Sequence, residues 1–237
     1  MPAPGADTLE AIEREVVVCV RCPRLVAWRE QVAHDKVARY REETYWGRPV
    51  PGFGDPSARI VLVGLAPGAH GANRTGRMFT GDGSGDFLWP ALYAAGLASQ
   101  PDSRRRDDGL RAIDLWVTAP VRCVPPDNRP LPSERDNCAP YLVRELAALD
   151  GARVVIALGA FGWDAALRTF AALGAPVPAP KPRFAHGAEA QIGRWRLLGS
   201  YHVSQQNTFT GRLTRPMLDA VFARGVELAA QAPDASR

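Results

Sequence analysis

Apolar residues recur at three- and four-residue steps near the start of the chain: Leu9, Ile12 and Val16, then Leu25, Trp28 and Val32. That period predicts helices over 8–18 and 24–42. Residues 43–58, with Trp46, Pro49, Pro51, Gly52, Gly54 and Pro56, read as loop. The pattern then changes. Arg59-Ile60-Val61-Leu62-Val63-Gly64 is a short β-branched run without polar alternation, which predicts a strand buried on both faces. Similar runs lie at 112–118, 153–158 and 195–201, with helical patterns at 84–98, 133–149, 160–173 and 211–230. Ser133, preceded by Pro130 and Pro132, marks a helix start. Strands alternating with helices predict parallel pairing through right-handed crossovers. The expected fold class is α/β: a three-layer sandwich with a central four-stranded parallel sheet flanked by helices.

A hydrophobic share of 46% over 237 residues fits one domain across 1–237, with loose tails at 1–7 and 231–237. No run approaches the roughly eighteen apolar residues of a membrane span. No apolar signal segment opens the sequence, so a cytoplasmic setting is expected. The net charge is only +4, but arginines cluster. Arg104, Arg105 and Arg106 are consecutive, and Arg74, Arg77, Arg122, Arg129, Arg212 and Arg215 sit in loop-like segments. Loop arginines suit a polyanionic partner; solvated surface charge is the plainer reading.

In a parallel α/β sheet, ligands bind at the carboxyl ends of the strands. The loops starting at Leu65, Ala119, Gly159 and His202 are therefore where chemistry belongs. The first runs Gly64-Leu65-Ala66-Pro67-Gly68-Ala69-His70-Gly71-Ala72-Asn73-Arg74-Thr75-Gly76-Arg77-Met78-Phe79-Thr80-Gly81-Asp82-Gly83-Ser84-Gly85, with seven glycines in 22 residues. Glycine at this density lets backbone approach a ligand closely. Gly71 and Gly76 have phosphate-loop spacing, but Arg77-Met78 follow where Lys and Ser/Thr are needed, which argues against nucleotide hydrolysis. Phe79 is placed either to stack on a planar base or to anchor the loop in the core. His202 follows the last strand, where an imidazole N–H can donate to a carbonyl oxygen gaining negative charge. Amides around Thr210-Gly211-Arg212 favour an anion such as a DNA phosphate. His34 and His186 are expected at the surface.

Four cysteines complete the candidate chemistry: Cys19 and Cys22 as C-x-x-C, and Cys123 and Cys138 about a hundred residues later. A chain of this length in a reducing compartment has no need of disulfides, so a tetrathiolate metal site is expected, with ordinary buried thiols as the plainer alternative. Sulfur-only ligation admits zinc or an iron–sulfur cluster, and spacing does not separate them. Pro23 after Cys22 is a feature of ferredoxin-type cluster segments.

Taken together, G-L-A-P-G-A-H-G-A-N-R-T-G-R-M-F-T-G-D-G-S-G at 64–85 and H-V-S-Q-Q-N-T-F-T-G-R-L-T at 202–214 resemble the two signature motifs of the uracil-DNA glycosylase superfamily. The similarity is to its iron–sulfur-containing type 5 (type b) branch. It also takes in V-R-C-V-P-P-D-N-R-P at 121–130 and the four-cysteine layout, and covers roughly residues 15–225. The resemblance implies a [4Fe-4S] cluster on Cys19, Cys22, Cys123 and Cys138, with a structural role. It implies a monofunctional DNA glycosylase that flips uracil, or another deaminated base such as hypoxanthine or xanthine, out of double-stranded DNA and hydrolyses its N-glycosidic bond. A monomer is expected.

The resemblance places Phe79 on the flipped base and His202 on uracil O2. Ala66 stands where relatives carry a water-positioning Asp or Asn; Asp82 is then the nearest loop carboxylate and a candidate for catalysis. Gly64, Leu65, Gly68, Asn73 and Asn207 are expected around the base. Arg74, Arg77, Gln205, Gln206, Thr210, Gly211 and Arg212 are expected on DNA. Ala119 stands where many relatives read the uracil edge with Asn, so looser base discrimination is expected. The alternatives are a non-enzymatic nucleic-acid-binding protein whose four cysteines hold a structural zinc, and a hydrolase of free nucleotides.

Overall fold

The computed structural model describes residues 8–231. The tails expected at 1–7 and 231–237 lie outside the described residues, apart from position 231. In chain order the elements are α1 (Leu9–Val17), α2 (Pro23–Asp35), β1 (Phe53–Gly54), β2 (Ile60–Val63), α3 (Ala72–Thr75), α4 (Gly83–Ala94), β3 (Leu115–Thr118), α5 (Pro132–Ala148), β4 (Val154–Leu158), α6 (Gly159–Ala172), β5 (Glu189–Ile192), β6 (Trp195–Ser200), α7 (Gln205–Phe209) and α8 (Arg215–Ala230).

Among the described residues the sheet has six strands in the order β1-β3-β2-β4-β6-β5, which corrects the expectation of four. The four anticipated strands form a contiguous parallel core, with Ile60 opposite Leu115 and Val154, and Val154 opposite Arg196. Antiparallel β1 and β5 close the two edges. Neither edge strand carries the signal that reveals the core. β1 is two residues inside a Pro/Gly-rich segment. β5 reads Glu-Ala-Gln-Ile, polar on its outward positions as an edge requires.

Both faces of the core strands are covered, which explains their unbroken apolar runs. Ile60, Leu62, Leu115, Val117, Val154 and Ile156 pack toward α4 and α8. The alternate residues Val61, Val63, Trp116, Val155 and Ala157 pack toward α5 and α6. Each such large apolar side chain contributes about 1.5–3 kcal/mol by leaving water.

Helix ends follow local chemistry. Thr8 accepts from Ala11 N at 3.1 Å and caps α1, whose buried stripe is the expected Leu9, Ile12 and Val16. α2 stops at Asp35, short of the expected 42, because Lys36 turns to φ +51. α8 starts at Arg215, later than the expected 211, with Gly211 at φ +70 in the preceding loop and proline within its first turn. No helix among the described residues is long and apolar enough to cross a membrane.

Candidate active site

β2 and β4 are neighbours, and the chain leaves them toward opposite edges, so the carboxyl end of the sheet opens a crevice between them. The loop after β2 and the loop after β6 meet there. The Phe79 and His202 rings lie 6.4 Å apart, tilted by 42°.

Phe79 reaches this position under strain. Its φ is +51, a region that costs a non-glycine residue of order 1–3 kcal/mol. Its carbonyl is held by Trp89 Nε1 at 2.7 Å. Its Cζ lies 2.8 Å from where a β-carbon on Gly64 would stand, so a side chain at that strand end would push the ring aside. His202 is half-buried, and protein packs around most of its ring. Burial lowers its pKa from the ordinary imidazole value to about 4, so the ring is neutral at neutral pH. Asn207, on α7, donates to the His202 carbonyl at 2.8 Å and fixes that backbone.

Asp82 caps α4 by accepting from Gly85 N at 3.0 Å. Its Oδ2 lies against Gly71, 1.8 Å from where a β-carbon would stand, and 2.8 Å from the same point on Gly68. Burial raises its pKa, against amides of Gly85 and Ser84 that lower it. Leu65 and Ala66 are half-buried, and Ala66 packs against the cluster of Leu25, Val121 and Cys123. Ala119 is buried at the end of β3.

Three expected contact residues are corrected by their burial. Arg74 is 6% exposed; it donates to the carbonyls of His70 at 2.7 Å and Gly81 at 2.8 Å, pairs with Glu43, and stacks 3.8 Å from the Tyr40 ring centre. Arg77, also 6% exposed, donates to Asp108 at 2.8 Å, Ser103 at 3.0 Å and the Arg106 carbonyl at 3.0 Å. Both guanidiniums are engaged by partners within the protein. Asn73 is wholly buried and donates to the Arg29 carbonyl at 3.1 Å, away from a base. All three are frame residues of the loop.

The second loop turns its expected DNA-facing residues to solvent. Gln205, Gln206, Thr210, Gly211 and Arg212 are exposed. Gln205 lies across from Gly83, joining the rims of the two loops. Phe209, at the end of α7, is 80% exposed. His34 is exposed as expected, but His186 is half-buried, stacked on Tyr201 at 5.1 Å and accepting from Tyr201 N at 3.2 Å.

The four cysteines line one largely apolar cavity with Leu25, Val121 and Tyr141. No three metal-binding side chains among the described residues are grouped tightly enough to hold one ion. Arg29 Nη1 donates to Cys123 Sγ at 3.2 Å and Asn137 Nδ2 to Cys22 Sγ at 3.5 Å. Sequence pattern alone passes over Arg29, because the expected stripe of α2 runs through Trp28. The buried set is Leu25, Arg29 and Val32. Its one sequence signal is position, four residues after Leu25 and three before Val32.

An aromatic ring and a neutral imidazole thus face one another at the ligand edge of a doubly wound sheet. The profile of the uracil DNA glycosylase superfamily matches residues 51–224, which include both loops. The chain belongs to that superfamily. It is similar to the type-5 uracil-DNA glycosylase of Mycobacterium tuberculosis, 52% identical over 229 residues, which is 96% of this chain and 84% of that protein. It is equally similar to the type-5 enzyme of Thermus thermophilus, 52% over 221 residues, 93% of this chain and 98% of the other. The type-4 uracil-DNA glycosylase of Archaeoglobus fulgidus is more distant, at 33% over 156 residues, 65% of this chain and 61% of that enzyme.

Proposed function

We propose that this chain is a DNA-repair enzyme that excises uracil from DNA by hydrolysing the N-glycosidic bond and leaving an abasic site. The observation that carries the reading is the meeting of Phe79 and His202 at the carboxyl edge of the sheet, 6.4 Å apart. Its type-5 relatives support it.

A base inside a duplex is out of reach, so the nucleotide is extruded for a few kcal/mol, least for a mismatched base. The extruded uracil stacks on Phe79, with Gly64, Leu65 and Gly68 lining the approach. The C1′–N1 bond breaks and its electron pair leaves with the base as an anion. A water oxygen bonds to C1′ and gives up a proton to solvent or to the departing base. Ala66 supplies no acid to place that water, so stabilising the leaving group carries more of the barrier. His202 donates from a neutral imidazole toward the carbonyl oxygen where charge develops. One such donor is worth about 3–4 kcal/mol, or 10²–10³ in rate. Asp82 frames the loop beneath Gly68 and Gly71, and Asn207 sets the His202 backbone.

Double-stranded DNA held by one copy of the chain is the proposed substrate complex. Gln205, Gln206, Thr210, Gly211 and Arg212 meet its backbone, and Phe209 fills the space left by the extruded base. Ala119 removes an amide from the base edge, which supports acceptance of hypoxanthine and xanthine. The reducing interior of a cell fits four free cysteines.

The cysteines suit the [4Fe-4S] cluster of the type-5 branch. They ring a shared cavity in place of converging on one point, and N–H donors already face two of the sulfurs. Cys19, Cys22, Cys123 and Cys138 would hold the cluster, which supplies cross-links among α2, the loop after β3 and α5. Brown holoprotein containing iron supports this; a colourless, zinc-containing preparation opposes it.

The test is incubation with uracil-, hypoxanthine- and xanthine-containing duplexes, then alkaline cleavage at abasic sites. Cleavage at uracil is expected. Intact uracil DNA after treatment with folded, metal-loaded protein overturns the reading.

A further inference from the structure

α2 lines the cysteine cavity, and one residue of that helix also meets the loop after β2. Arg29 is a cation only 4% exposed. Nη1 donates to Cys123 Sγ at 3.2 Å and to the Cys19 carbonyl at 3.1 Å. Its carboxylate neighbour Glu30 stands 3.6 Å from Nη2, with a side chain that is itself mostly exposed. Nε has no partner among the described residues. A buried guanidinium is costly unless an anion compensates it. Four thiolates carry more negative charge than a zinc ion or an iron–sulfur core carries positive, so the loaded site supplies that anion.

The same residue continues toward the catalytic loop. The Arg29 carbonyl accepts from Asn73 Nδ2 at 3.1 Å. Asn73 N in turn donates to the Gly68 carbonyl at 2.9 Å, and Gly47 N donates to the Asn73 carbonyl at 3.0 Å. Gly68 is two positions from Ala66, which itself packs against the cluster that holds Leu25 and Cys123. A short path of hydrogen bonds and packing thus joins a cysteine sulfur to the floor of the base pocket.

We propose that Arg29 and Asn73 are positioning residues through which the group bound by the four cysteines sets the place of the catalytic loop. The proposal rests on the metal-site reading above. With the group bound, Arg29 is compensated, α2 is held, and the Arg29 carbonyl faces Asn73. With the group removed, the buried cation keeps only the exposed Glu30 carboxylate as counter-charge, α2 shifts toward water, and Asn73 loses its acceptor.

The test uses anaerobically purified holoprotein with three variants. Arg29→Met removes the charge, Asn73→Ala removes only the link, and Asn73→Asp keeps the shape of Asn73 without its donor should the alanine variant fail to fold. Readouts are metal content, loss of visible absorption under a chelator, amide exchange of residues 66–82, and single-turnover excision with DNA affinity measured separately. Arg29→Met should lose the metal about 10–100-fold faster, the usual scale for an outer partner of a metal ligand. Asn73→Ala should keep the metal at the wild-type rate. It should nevertheless exchange its loop about tenfold faster and excise about tenfold more slowly, with unchanged DNA affinity; about 1.4 kcal/mol corresponds to each tenfold. Stripping the metal from Asn73→Ala should add little further loop exchange, because link and metal act in series. Wild-type loop exchange in metal-loaded Asn73 variants overturns the proposal, as does wild-type metal loss in Arg29→Met. A zinc-loaded preparation overturns only the iron assignment, since the exchange experiment reads whichever metal is removed.

Discussion

The two loops that meet over the sheet use arginine in opposite ways. In the loop after β2, Arg74 and Arg77 are buried and direct their donors to carbonyls and carboxylates of their own surroundings. In the loop after β6, Arg212 is exposed and lies 4.7 Å from the Tyr201 ring, with its charge open to solvent. The first loop is a frame that holds Phe79 at a strained φ; the second is a surface that can meet an anion. Identical side chains in two glycine-containing loops therefore do different work, and burial decides which.

The largest effect that tests this contrast is on stability. Arg77→Ala leaves Asp108 with only the amides of Arg104, Arg105 and Leu110 as donors in a half-buried site. It should cost about 1–3 kcal/mol of unfolding free energy and leave the salt dependence of DNA binding unchanged. Chemical denaturation and binding titrations across salt concentrations check both halves. A stable variant with weakened DNA affinity would return Arg77 to the interface.

A smaller effect is expected at Asp82. Asp82→Ala removes the cap of α4 and should cost about 0.5–2 kcal/mol. Asp82→Asn keeps a side-chain oxygen for Gly85 N and should excise uracil at close to the wild-type rate. A hundredfold loss in Asp82→Asn, with the fold intact, would make this carboxyl part of the chemistry.

Arg212→Ala should leave stability unchanged. It should reduce the slope of log affinity against log salt by about 0.9, the share of one phosphate no longer neutralised. An unchanged slope would show that this surface does not meet the backbone.

The pH profile sharpens the same division from the site of His202. The folded ring takes a proton only near pH 4, whereas the unfolded ring takes it near 6.5. Excision should therefore stay flat through the ordinary histidine range and fall only on approach to pH 4. Between those values the unfolded chain binds the extra proton, so His202 contributes stability above about 6.5 that is lost as the pH falls. A fall in excision rate centred near 6.5 would show an ordinary, solvated imidazole.

The parts of the molecule legible in the sequence are those where one residue type has one physical meaning. β2 and β4 announce themselves because burial on both faces excludes polar side chains. The superfamily is legible in the long motifs at 64–85 and 202–214, and Phe79 and His202 stand out by their place after strands. β1 and β5 escape notice because short edge strands follow no such pattern. Arg77 reads as a DNA contact because its partner Asp108 lies 31 residues away, across a fold that local pattern does not reveal. Arg29 stays hidden because an arginine within an apolar stripe reads as an interruption until its sulfur neighbour is known. Asn73 carries the same ambiguity: a polar residue in a glycine-rich loop suits a ligand, yet here its amide turns inward to α2.

The central claim is that the pocket between Phe79 and His202 excises uracil by stabilising the departing base. Single-turnover excision from a uracil-containing duplex by His202→Ala, with DNA affinity measured in parallel, tests it most directly. The rate should fall by about 10²–10³ while affinity stays near wild type. An unchanged rate in a folded variant would contradict the account.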